Sequence, residues 1–169
     1  MNGHPGGAEH TLRMLELSGL TSPADILDMG AGAGEAVALL RKMGYAAWGI
    51  DLCPRGDGVS KGDMLHTPYP AESFEGILSQ CAFYLSGDVD GAFRECARLL
   101  KKGGMLLFSD VCFAPPEEAA AKSGLKAVYS QDMTALWREY YIEALWRGDG
   151  QCPQLKGKCT YEMFIFKKE

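Results

Sequence analysis

Short apolar runs along this chain alternate with stretches in which apolar side chains recur every three or four positions. The first run, residues 26–29 (Ile-Leu-Asp-Met), reads as a buried strand. It leads into a turn with glycine at alternate positions, Gly30, Gly32 and Gly34. Over residues 35–43, Val37, Leu40 and Met43 form one core-facing helical stripe, which Gly44 closes. Residues 46–50 make a second strand that ends on a carboxylate, Asp51. The result is a β-α-β unit with a glycine turn at its first corner, where positive φ and close approach of a ligand are both possible.

The same reading extends to the rest of the chain. Residues 9–17 can be helical, with Leu12, Met14, Leu15 and Leu17 apolar and Gly19 just past the end. After Asp51 only residues 52–58 precede the next strand, 59–62, so the crossover helix is reduced to a loop carrying Pro54, Gly56 and Gly58. A loop with Pro68 and Pro70 leads to a buried strand at 74–79. Asp88 caps a helix whose stripe is Val89, Ala92, Phe93, Cys96, Leu99 and Leu100. Lys101 and Lys102 suit its C-terminal end, and Gly103-Gly104 stops it. Strands follow at 105–111 and 125–129, with a short helix at 117–123 between them. Asp132 caps a long helix to residue 147, with Met133, Leu136, Trp137, Tyr140, Tyr141, Ala144 and Leu145 on one face. A loop over 148–157 leads to a last strand at 160–167. Strands alternating with helices imply an α/β fold, a mostly parallel sheet with helices on both faces. Ligands then bind beyond the carboxyl ends of the strands.

Composition narrows the class. The 169 residues suit one domain, with 47% hydrophobic and 23% charged residues. The net charge of −5 offers no footprint for DNA or RNA, which favours a small-molecule or protein substrate. No apolar run is long enough to span a bilayer, and no secretory signal is evident at Met1-Asn2-Gly3-His4-Pro5. The six cysteines show no zinc-finger spacing and read as reduced thiols of a cytoplasmic protein. Cys96 lies on a core-facing stripe and is expected to be inert.

The glycine turn serves a nucleotide-like ligand, but the dinucleotide fingerprint needs a third glycine where this chain has Glu35. The segment from Asp28 instead reads Asp-x-Gly-x-Gly-x-Gly, with Asp51 after the second strand. This resembles the first motifs of the class I S-adenosylmethionine-dependent methyltransferases. Gly62-Asp63-Met64 sits where that family places an acidic residue beside the adenine. The run from Leu65 through Pro68-Tyr69 and Ser73-Phe74-Glu75 to Leu78 resembles another of its blocks. Phe93-Arg94-Glu95-Cys96-Ala97-Arg98-Leu99-Leu100-Lys101-Lys102-Gly103-Gly104 resembles a third, with Lys102 in place of the usual proline. The likeness is nearest to the ubiquinone- and menaquinone-type group.

The resemblance implies a Rossmann-like fold with a mostly parallel seven-stranded sheet and an antiparallel last strand. It divides the single domain into an N-terminal lid and helix (1–23), a cofactor-binding core (24–111), acceptor-side helices (112–158) and a last strand (159–169). It implies S-adenosylmethionine as cofactor and S-adenosylhomocysteine as product. The cofactor-binding residues would be Asp28, Gly30, Ala31, Gly32, Gly34, Asp51, Leu52, Gly62, Asp63, Met64, Ser79, Gln80 and Cys81. Asp51 would accept from the ribose and Asp63 from the adenine amine, while Ser79-Gln80-Cys81 would pass under the sulfonium.

A general base is needed only if the acceptor must lose a proton; His4, His66 and Tyr84 are the candidates. The stretch His4-Pro5-Gly6-Gly7 is a candidate lid over the cofactor. Trp137, Tyr140 and Tyr141, with Phe83, Tyr84 and Phe113, are candidates to line an acceptor pocket. Cys53, Cys81 and Cys112 each follow a predicted strand, and three thiolates together would hold an arsenite-like metalloid. Methyl transfer to a small acceptor is the main expectation. The alternatives are metalloid methylation, non-catalytic S-adenosylmethionine binding and a nucleotide-dependent oxidoreductase.

Overall fold

Seven strands form one sheet: β1 (Asp25–Met29), β2 (Ala46–Asp51), β3 (Val59–Lys61), β4 (Phe74–Gln80), β5 (Leu100–Cys112), β6 (Leu125–Asp132) and β7 (Thr160–Lys168). The computed structural model describes residues 4–148 and 157–169. The strand order is β3-β2-β1-β4-β5-β7-β6. Pairings from β3 through β5 are parallel, and β7 runs antiparallel to both β5 and β6. The order reverses between β1 and β4, so a crevice opens at their carboxyl ends.

Helices α1 (Gly7–Ser18) and α2 (Glu35–Lys42) cover one face of the sheet. Met14, Leu15, Val37 and Leu40 from these helices meet Ile26, Leu78, Leu107, Met163 and Ile165. The other face packs Leu27, Met29, Ile77, Leu106 and Phe166 against Phe93, Cys96 and Leu99 of α4 (Val89–Leu99) and Ala120 of α5 (Pro116–Lys122). Residues 26, 27 and 29 are all buried, as befits a parallel strand covered on both sides. The last helix, α6 (Thr134–Trp146), follows the edge strand β6 and lies on the α1 side, where Leu136 approaches Gly6.

Three local expectations change. The helix predicted to include Leu100 ends at Leu99, and β5 begins at Leu100. Leu100 already pairs with Phe74, and Lys101 bonds to Glu75, so Lys101 serves the sheet rather than the helix end. A short helix, α3 (Phe83–Ser86), follows β4. Asp110, at the end of β5, accepts from the Tyr84 N–H at 3.0 Å and fixes the start of α3. Phe83 does not line a pocket, since it is buried against Phe93 and Phe108. Asp132 lies one residue outside its cap position and still accepts from Thr134 N–H, at 2.8 Å. The loop expected at 148–157 falls mostly outside the described residues, as does Cys152.

Candidate active site

The turn after β1 is built by backbone. Gly30 and Ala31 N–H both donate to the Ile50 carbonyl at the end of β2, at 2.9 and 3.1 Å. Gly30 has φ 86°, and a Cβ there would stand 2.3 Å from the Ala82 Cβ. That position therefore requires glycine for two independent reasons. The turn borders a cavity of about 400 Å³ at the carboxyl ends of β1 to β4. A cavity of this size lies in the range of small-molecule sites.

Each strand end supplies part of the wall. After β2, the Asp51 carboxylate accepts from Gly32 N–H at 2.9 Å and Cys53 N–H at 2.8 Å, which fixes both oxygens while leaving lone pairs free. After β3, Asp63 accepts from Leu65 N–H at 2.8 Å. The loop beyond it is tied to α4 through Glu95, which accepts from Thr67 N–H and Oγ1 and pairs with Arg98. After β4, Cys81 takes a left-handed backbone (φ 56°), and its N–H donates to the Ser109 carbonyl at 2.8 Å. Strain of this kind in a non-glycine residue is concentrated at functional sites.

Asp28 is buried, and its carboxyl carries no hydrogen bond to the described residues. Burial, with a smaller push from the Asp51 charge, raises its pKa to about 7. Burial also raises the Cys81 thiol to about 12, so it is neutral at physiological pH. Its Sγ lies 3.2 Å from the Tyr161 hydroxyl, which also donates to Ser109 Oγ at 3.2 Å.

His4 lies on the cavity wall. Its ring is 3.3 Å from Gln80 Nε2 and 3.4 Å from Thr11 Oγ1, and Thr11 donates to Gln80 Oε1 at 3.1 Å. Burial lowers the pKa of His4 and lowers that of His10 to about 4, so both imidazoles are neutral. His10 Nε2 is buried with no partner among the described residues. Burial raises the pKa of the Tyr140 phenol on α6.

Asp28, Gly30, Ala31, Gly32, Asp51, Leu52, Gly62, Asp63, Met64, Gln80, Cys81 and His4 thus share one wall. Gly34 and Ser79 are not on it. Gly34 is spent as the cap residue of α2, and Ser79 turns into the sheet to donate to the Met29 carbonyl at 2.9 Å. His66 points to solvent off the wall. Tyr84 stands outside the wall with its ring 5.3 Å from Phe113. The three strand-end thiols do not converge. Cys81 is on this wall, Cys112 borders a separate cavity with Trp137, and Cys53 is exposed on neither. Among the described residues no group of three His, Cys, Asp or Glu side chains can hold a metal ion. The sequence reading missed Glu35, Arg55, Ala82 and Leu85, which also line the cavity, and Tyr161 behind Cys81. The one available signal was the short loop after Asp51, which has no room to lie anywhere but on the glycine turn.

Fold and cavity together define a Rossmann-like α/β protein with a small-molecule-sized cavity at the switch point of its sheet. Residues 27–108 match the family model described as a methyltransferase domain. That stretch, just under half of the chain, is similar to S-adenosylmethionine-dependent methyltransferases. The chain is 28% identical over 121 residues to a demethylmenaquinone methyltransferase of Tropheryma whipplei, covering 63% of this chain and 48% of that protein. It is 32% identical over 126 residues to an arsenite methyltransferase of Aquipseudomonas alcaligenes, covering 55% of this chain and 36% of that one. The chain therefore spans less than half the length of either relative. Its fold matches Haemonchus contortus phosphoethanolamine N-methyltransferase 2 in complex with S-adenosyl-L-methionine, with TM-score 0.77 and 18% identity over 98% of this chain and 53% of the other. It matches the [4+2]-cyclase SpnF equally well, with TM-score 0.77 and 18% identity over 94% of this chain and 79% of the other. The fold alone thus does not settle the reaction.

Proposed function

We propose that the chain binds S-adenosylmethionine in the 400 Å³ cavity and transfers its methyl group to a small-molecule acceptor, releasing S-adenosylhomocysteine. The observation that carries this reading is the convergence of Asp28, the glycine turn, Asp51, Asp63 and Gln80-Cys81 on one wall. The fit is chemical as well as spatial. Gly30 leaves a cradle that any Cβ would fill, and the unpartnered Asp28 carboxyl suits an ammonium group. Asp51 has free lone pairs for ribose hydroxyls, and Asp63 with Met64 N–H suits the adenine edge.

Once bound, the sulfonium supplies an already activated methyl group. The protein's task is then positioning and exclusion of water. Cys81, held by Tyr161 and by its strained backbone, fixes the floor at the end of β4. His4, latched to Gln80 and Thr11, closes the N-terminal segment (within residues 1–23) over the cavity. Its neutral imidazole is the base for an acceptor that must lose a proton. The acceptor enters beside His4 and Cys81. Among the described residues no helix is long and apolar enough to cross a membrane. We read the protein as cytoplasmic from its free thiols.

Calorimetry with S-adenosylmethionine, S-adenosylhomocysteine and NAD tests the donor half. The first two are expected to bind and NAD is not; NAD binding alone would overturn the reading. A screen of quinols, phenols, amines, thiols and arsenite for S-adenosylhomocysteine release tests the acceptor half. Binding with no turnover on any of them would leave a non-catalytic S-adenosylmethionine-binding protein.

A further inference from the structure

Arg55 differs in charge from the rest of the donor cavity's wall. The other ionisable side chains there include the acidic Asp28, Glu35, Asp51 and Asp63, together with His4, which burial holds neutral. A guanidinium is charged at every relevant pH and presents a planar fork of donors.

Arg55 reaches the wall because the β2–β3 connection has no helix and lies directly on the glycine turn. Its N–H donates to the Gly32 carbonyl at 2.9 Å. The next residue, Gly56, lies so close to the turn that a Cβ there would stand 1.9 Å from the Ala33 carbonyl oxygen. Backbone contacts therefore set where residue 55 begins. Its side chain passes over Gly32, with one Nη atom 3.0 Å from where a Gly32 Cβ would be. Any larger residue at 32 would displace the guanidinium. Among the described residues the Arg55 side chain makes no hydrogen bond or ion pair.

We propose that Arg55 binds the α-carboxylate of the donor's methionine portion, an inference that rests on the cavity being an S-adenosylmethionine site. That donor carries two cations, a sulfonium and an ammonium, and one anion, the carboxylate. The wall offers several carboxyl groups and one permanent cation. Matching charges assigns the ammonium to the unpartnered Asp28 and the carboxylate to Arg55. Turning Arg55 toward the sulfonium would set like charges together, and turning it toward the ribose would have it compete with the ribose hydroxyls for Asp51. The N-terminal end of α2, which begins at Glu35 beside the same turn, adds unpaired N–H groups at the same corner. In this chain the shortened loop thus contributes a specificity residue for the donor.

Calorimetry on the full chain separates the possibilities. The proteins are wild type, Arg55→Gln and Arg55→Lys, each checked for an unchanged thermal midpoint. The ligands are S-adenosylmethionine, decarboxylated S-adenosylmethionine and 5′-methylthioadenosine. Wild type is expected to prefer S-adenosylmethionine over its decarboxylated form by roughly 10- to 100-fold, the range for a hydrogen bond to a charged group. Arg55→Gln should lose that preference, and Arg55→Lys should keep part of it, since a point charge replaces a fork. Affinity for 5′-methylthioadenosine, which lacks the amino-acid portion, should be the same in all three proteins. An Arg55→Gln variant that keeps the preference overturns the assignment. So does equal weakening toward all three ligands, which would mean that Arg55 packs on the adenosine or only holds the loop. If wild type binds none of the three, the donor-site reading itself fails.

Discussion

On the proposed donor side, Asp51 is met by the N–H groups of Gly32 and Cys53, and Asp63 by the N–H two residues further on. On the acceptor side, Cys81 is met by Tyr161 across 80 residues of chain, and Gln80 by His4 across 76. The first region is built from charged side chains gripping nearby backbone. The second is built from neutral side chains gripping one another: a thiol, three hydroxyls, an amide and an imidazole. Backbone contacts over short separations survive changes elsewhere in the fold. A side-chain network spanning four elements depends on each of them. A donor site of this kind can be kept while the acceptor side changes, consistent with relatives named for acceptors as different as a menaquinone precursor and arsenite.

The largest expected effect breaks the donor side outright. Gly30→Ala places a Cβ 2.3 Å from Ala82 in a backbone with φ 86°. The overpacking and strain should weaken S-adenosylmethionine binding by about 100-fold or more, measured by calorimetry. Asp51→Asn comes next. It keeps the shape and removes the charge that holds Gly32 and Cys53 and that is proposed to hold the ribose hydroxyls, and affinity should fall roughly 10- to 100-fold. An Asp51→Asn protein with full affinity would place the ribose elsewhere.

A pH titration sharpens the comparison. The pKa of Asp28 in the folded protein, about 7, lies above its value in the unfolded chain. Its contribution to the stability of the ligand-free protein is therefore fully present at acid pH, below the ordinary carboxyl range, and is lost as pH rises through about 7. Ammonium binding has the opposite sign, because it needs the carboxylate. S-adenosylmethionine affinity should rise with pH up to about 7 by no more than about tenfold per unit, and Asp28→Asn should flatten both the affinity and the thermal-melt profiles.

The smallest effect belongs to the acceptor side. Tyr161→Phe leaves Cys81 Sγ and Ser109 Oγ without their shared partner. It should cost about 1–3 kcal/mol in chemical denaturation and leave donor affinity within about twofold. A large loss of donor binding in this variant would mean that the two regions are coupled.

Much of the donor half was legible because each of its residues lies within a few positions of a strand end, and strand ends show in the apolar pattern. Asp28, Asp51 and Asp63 could be read that way. Ser79 could not, because β4 alternates faces and its hydroxyl turns into the sheet to meet Met29. Phe83 misled for a similar reason. The turn that follows Cys81, held by Asp110, points that ring into the core and not toward a ligand.

By itself the sequence determined the order of the elements other than α3, the glycine turn after β1, and the carboxylates at or just beyond the ends of β1, β2 and β3. These are local consequences of hydrophobic period and glycine stereochemistry. Tertiary structure alone decided that Arg55 would lie over Gly32, that the three strand-end thiols would separate, that His4 would meet Gln80 on the cavity wall, and that Tyr161 would lie behind Cys81. Those juxtapositions depend on strand order and on how helices cross the sheet. Both are set by burial summed over the whole core, which no short stretch of sequence contains.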